Sequence, residues 1–87
     1  MESRALVAWN LRKNRVERGL SQEKLAVDAG IDRTYVSSLE RGLENPTVSV
    51  LDKLADALSI PITEFFRLPS RGERPPKPLA RGRRRSS

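Results

Sequence analysis

The side chains with most to offer a ligand lie in the stretch from Gln22 to Leu39, QEKLAVDAGIDRTYVSSL. Arg33, Thr34, Ser37 and Ser38 fall on one face of a short predicted helix, and that face is nearly free of acid. An arginine can grip the O6 and N7 acceptors of guanine with two hydrogen bonds, and a threonine methyl can meet a thymine methyl. Arg33 equally suits a phosphate or plain solvation, because many protein–DNA hydrogen bonds go to the backbone. Ser37 and Ser38 are small enough to allow close approach, although serine reads bases weakly. This chemistry is that of insertion into a DNA groove.

Bond-making chemistry has little support. The chain has no histidine and no cysteine, which removes the commonest general base, metal ligand and thiolate nucleophile. It has no glycine-rich phosphate loop and no paired carboxylates of the kind a catalytic pocket needs. The expectation is a protein that is not an enzyme, with no metal and no cofactor.

The groove-facing residues need elements to hold them, and the spacing predicts two short helices joined by a tight turn. With Gln22 as first position, Ala26 is fifth, Gly30 ninth, Val36 fifteenth and Leu39 eighteenth. Ala26 is small where the second helix of the pair must cross close. Gly30 takes the left-handed conformation that other residues resist. Val36 and Leu39 fill the angle between the helices. Ser21 and Asp32 are the natural N-caps. This is helix-turn-helix geometry, in which the second helix, here 33–41, lies in the major groove. A plain helical hairpin shares the four core residues Leu25, Ala26, Val36 and Leu39 but does not account for the spacing.

Around this pair, Ser3 to Arg18 has helical character and Gly19 stops it. Trp9 either covers the core edge or stands at an interface. Thr47 caps a fourth helix, 48–58, in which Val48, Leu51, Leu54, Ala55 and Leu58 follow the helical template. A short fifth helix, TEFFRL, opens at Ile62 or Thr63. The fold class is all-α, with five helices in a domain spanning 1–68. The segment 69–87, rich in Pro, Gly, Ser and Arg, cannot bury enough surface to offset its ordering entropy and is expected to be disordered.

The net charge of +6 belongs to that tail. Residues 69–87 hold seven cations against Glu73, and residues 1–68 hold ten cations and ten acids. A DNA-binding domain of zero net charge must act through locally placed charge. The tail reads as a solvated charge run, as a DNA arm acting by counterion release, or as a segment for a protein partner. No apolar run approaches a membrane span, and the N-terminus lacks a signal peptide, so the expected location is the cytoplasm, at the nucleoid.

The blocks LSQEKLAVDAGIDRTYVSSLERG and NPTVSVLDKLADALSI together resemble the Cro/C1 (XRE) family of phage-repressor-like helix-turn-helix regulators, over roughly residues 4–66. The segment IDRTYVSSLERG is similar to the controller proteins of restriction–modification systems. The resemblance implies a five-helix DNA-binding domain that forms a homodimer on a palindromic operator in double-stranded DNA. It implies base contacts from Arg33, Thr34, Ser37 and Ser38, the last at a base-reading position of the family. It gives Gln22 a phosphate, supported by the helix dipole, where plain capping is the alternative. Ser21, Tyr35, Arg41, Asn45 and Thr47 complete the expected phosphate contacts. Tyr35 departs from the small residue often found there; it reaches a phosphate through its hydroxyl or packs on the preceding helix. Arg15 and Glu40 are implied to form a structural ion pair. Ile62, Phe65, Phe66 and Leu68 are the expected dimer surface, with one phenylalanine taken by the thin core. The competing function is an antitoxin or other protein-interaction module whose DNA binding serves autoregulation.

Overall fold

Short polar side chains start three of the four α-helices, each one residue ahead of the first helical position. The computed structural model describes residues 2–70 of the chain. Helix α1 spans Ser3–Glu17, α2 Gln22–Ala29, α3 Arg33–Glu40 and α4 Val48–Leu58, and a 3₁₀ helix covers Ile62–Phe66. The described residues contain no strand. Ser21 Oγ accepts from the Lys24 amide at 2.9 Å, Asp32 Oδ2 from Thr34 at 2.9 Å and Thr47 Oγ1 from Val50 at 3.1 Å. These bonds satisfy amides that the first helical turn leaves without partners. At α1 the cap is Glu2, whose Oε1 accepts from the Ala5 amide. A hydrogen bond from Arg4, then that amide, holds the Glu2 carboxyl below the usual carboxylate range.

The helices stop as sharply as they start. Gly30 has φ 71° and lets the Ile31 amide return to the Ala26 carbonyl at 3.0 Å. That bond closes α2 and turns the chain into α3. Ser59 does the same work at the end of α4 with φ 57°, and Ile60 returns to Ala55. Helix α3 ends at Glu40 rather than Arg41, because Arg41 is the capping residue.

The fifth helical element is 3₁₀ rather than α. Pro61 precedes it at φ −70°, and the Glu64 amide bonds the Pro61 carbonyl at 3.0 Å in an i to i+3 pattern. Five residues are too few for the longer α repeat to gain much, and short 3₁₀ pieces suit such an end.

One core unites these elements. Val7 and Leu11 of α1 meet Leu25, Ala26 and Ala29 of α2, Val36 and Leu39 of α3, and Leu51, Leu54, Ala55 and Leu58 of α4, with Phe65 closing the cluster. Leu20, Ile31, Tyr35 and Ile62 pack against its edge. No helix among the described residues is long and apolar enough to cross a membrane.

Candidate nucleic-acid interface

With Val36 and Leu39 committed to the core, the other face of α3 is fixed. Arg33 and Thr34 are exposed at its start, and Ser37 and Ser38 are half-buried one turn on. The four expected base-contacting residues therefore share one end and one side of a helix. Among the described residues the Arg33 guanidinium makes no ion pair. Asp32, its neighbour in sequence, is tied to the Thr34 amide.

The residues expected at phosphates frame this face. Ser21 is exposed beside its cap bond, and Gln22 is half-buried as the first residue of α2. Arg41 and Asn45 are exposed beyond the end of α3, and exposed Thr47 caps α4. Tyr35 is half-buried, packed against the edge of the core.

A buried ion pair sets the angle at which α3 stands. Arg15 of α1 donates through Nη2 to Glu40 Oε1 at 2.9 Å and through Nε to Oε2 at 2.5 Å. Their side chains are 6% and 3% exposed. Arg15 Nη1 also donates to the Leu20 carbonyl at 2.7 Å, which ties the α1–α2 turn into the same arrangement. A two-pronged bond of this kind fixes direction as well as distance. Sequence reasoning missed a third member: Gln22 Nε2 donates to Glu40 Oε1 at 3.1 Å. The helix that bears the candidate reading face is therefore held by side chains from both α1 and α2.

The expected second-copy surface divides. Phe65 is 0% exposed and belongs to the monomer's own core, so it is withdrawn from the interface residues; its backbone neighbour Phe66 is 47% exposed. Ile62 is half-buried against the core edge, and Leu68 is 71% exposed. Successive residues of a tight helix point to different sides, which sends one phenylalanine in and the next out.

Asn10 was likewise missed from sequence. It lies buried on the apolar side of α1, and the two hydrogens of its Nδ2 are shared among the carbonyls of Leu6, Phe65 and Arg67. A signal was present: Asn10 and Asn14 are four apart, within the stripe of Leu6, Val7 and Leu11. Asn14 Nδ2 in turn donates to the Asn10 carbonyl at 2.8 Å. The basic tail, expected as a DNA arm or a protein-binding segment, lies from residue 71 onward outside the described residues. Among the described residues no group of three or more acidic, histidine or cysteine side chains is arranged to hold a metal ion.

Comparison with known proteins gives matches over this same region. The family model described as Helix-turn-helix matches residues 11–65. A hypothetical transcription factor of Neisseria meningitidis serogroup B is 49% identical over 57 residues, covering 66% of this chain and 54% of that protein. The chain thus spans about half the length of that relative. The uncharacterized HTH-type transcriptional regulator y4dJ of Sinorhizobium fredii is 45% identical over 65 residues, 75% of this chain and 84% of the relative. Among solved structures, the restriction-modification controller protein C.Esp1396I, as a tetramer with its natural 35 base-pair operator, is 33% identical. Its TM-score is 0.70, covering 76% of this chain and 87% of that chain.

Proposed function

The chain belongs to the Helix-turn-helix family of Cro/C1-type transcriptional regulators, not of enzymes, and on that premise we propose that it binds a specific operator with α3 in the major groove. The observation that carries this reading is the division of α3: Val36 and Leu39 are buried, while Arg33 and Thr34 stand exposed at its start. Arg33 reads guanine, Thr34 reads a thymine methyl, and Ser37 and Ser38 approach the base edges. Ser21, Gln22, Tyr35, Arg41, Asn45 and Thr47 hold the flanking phosphates and set the register.

The protein works as a homodimer on a palindromic site. Exposed Phe66 and Leu68, with Ile62 at their edge, meet a second copy. A two-fold dimer spaces two recognition helices one DNA turn apart, about 34 Å. The related C.Esp1396I occupies its operator as a tetramer, which supports more than one copy per site here. On this reading the chain acts in the cytoplasm, where the DNA is, and the zero net charge of its first 68 residues leaves affinity to placed contacts and to the separate basic tail.

Selection of bound sites from a random duplex library tests this. The expected result is a palindromic consensus with half-sites about one helical turn apart. Arg33→Ala should then relax the preference at one base pair of each half-site and weaken binding by about 1–3 kcal/mol. No enrichment over input would overturn the proposal.

A further inference from the structure

The carboxylate of Glu40 sits at the last residue of α3 and is nearly closed to solvent, 3% exposed. Its Oε1 accepts two hydrogen bonds, from Arg15 Nη2 at 2.9 Å and from Gln22 Nε2 at 3.1 Å. The two donors differ in what they have left to give. Arg15 is buried away from any surface a ligand could reach, and its other bonds go to Glu40 Oε2 and the Leu20 carbonyl, three of its five N–H groups in all. Gln22 is half-buried, at the first position of α2, on the edge of the candidate interface.

A primary amide nitrogen carries two hydrogens, and its oxygen only accepts. An ionised carboxylate also only accepts. Glu40 therefore admits one orientation of the Gln22 amide, with nitrogen toward it and oxygen away. One N–H is used, and the second is directed away from the first. Without that constraint the amide rotates freely and offers oxygen as readily as nitrogen, and oxygen repels a phosphate. The arrangement also explains how an acid can stand so close to a surface meant for polyanions: Arg15 meets both carboxylate oxygens and cancels the charge.

We propose that Glu40 is a positioning residue for phosphate binding, holding the Gln22 amide so that its second N–H is presented to a DNA phosphate oxygen. The inference rests on the proposed DNA-binding role of α2 and α3. It gives the Arg15–Glu40–Gln22 group a part in affinity distinct from its part in stability. A side chain held in the binding geometry loses less rotamer freedom on association.

The test is a double-mutant cycle. Dissociation constants are measured by fluorescence anisotropy for a labelled duplex carrying a site selected from random DNA. The proteins are wild type, Gln22→Ala, Glu40→Ala and the double variant, all held below their melting midpoints. Gln22→Ala is expected to weaken binding about fivefold when Glu40 is present, the worth of one hydrogen bond, and less than about twofold in the Glu40→Ala background. An equal loss in both backgrounds overturns the inference, because a purely structural Glu40 leaves the cost of losing Gln22 unchanged. A second readout needs neither DNA nor a destabilised variant: ¹⁵N relaxation of the Gln22 side-chain amide in the free wild-type protein. An ordered amide is expected; one averaged like an exposed glutamine overturns the inference, however tightly the protein binds its site. Failure of the wild type to bind any duplex, with the amide ordered, overturns instead the proposed DNA-binding role on which the inference rests.

Discussion

Asn10 Nδ2 donates to the carbonyl oxygen of Phe65 at 2.9 Å, across 55 positions of sequence. The same nitrogen reaches the Arg67 carbonyl at 2.8 Å and the Leu6 carbonyl at 3.1 Å. One amide thus fastens the end of the 3₁₀ helix to α1. Asn10→Leu keeps similar bulk and deletes the donor, leaving the buried Phe65 carbonyl without it, for an expected loss of about 1–3 kcal/mol. Urea titration should show a lower midpoint with an unchanged slope. A wild-type midpoint would mean that Phe65 packing alone holds the terminal segment.

The Arg15–Glu40 pair and the α3 surface make opposite predictions for stability. Glu40→Ala strands a guanidinium that is 6% exposed and should cost about 3–5 kcal/mol. Ser37→Ala removes a hydroxyl outside the core cluster and should stay within about 0.5 kcal/mol of wild type. Calorimetric midpoints decide the matter; equal values for the two variants would refute a stabilising pair.

Two adjacent phenylalanines should fail in different ways. Phe65→Ala removes the largest fully buried side chain and should cost about 3–5 kcal/mol. Phe66→Asp leaves that core intact, and its effect should fall on self-association and operator affinity. Light scattering at micromolar concentration reads the first, and gel shift reads the second. A monomeric wild type that still binds a palindrome tightly would remove Phe66 from the assembly.

Gly30 and Ser59 hold the same backbone conformation with different residues. A Cβ at Gly30 would meet nothing within 4 Å, so Gly30→Ala costs only the left-handed backbone, about 1–2 kcal/mol. Ser59→Gly relieves that penalty at φ 57° and should raise the thermal midpoint slightly, by less than about 1 kcal/mol in stability because the unfolded chain gains freedom. A lowered midpoint for Ser59→Gly would show that the serine earns its place through its side chain.

Residues 71–87 carry all seven cations of the segment after Leu68. Deleting them should flatten the dependence of log affinity on log salt while leaving the selected site unchanged. An unaltered slope would exclude the tail from the DNA.

Much of the fold was legible because its signals are local. Ser21, Asp32 and Thr47 each precede the first residue of a helix, and Gly30 ends α2 where the apolar period breaks. The extent of α4, 48–58, follows from the Thr47 cap and the period of Leu51, Leu54, Ala55 and Leu58. What stayed hidden is long-range. The Asn10 side chain reads as a polar interruption until its acceptors, more than fifty residues away, come into view. The Gln22–Glu40 bond needs the crossing of α2 and α3, which periodicity does not supply. Phe65 and Phe66 are the same residue type side by side, and only the pitch of the final helix decides which faces inward.

Because Arg33, Thr34, Ser37 and Ser38 lie outside the core cluster while Val36 and Leu39 lie within it, the outer letters of α3 can be rewritten without disturbing the inner ones. Exposed Arg33 and Thr34 are expected to tolerate replacement best, and half-buried Ser37 and Ser38 small side chains best. If α3 reads DNA as proposed, a duplicated copy of this domain can change target through its exposed face while keeping the same core. Asp32 and Gly42, which bracket the helix, keep its frame fixed while its text changes.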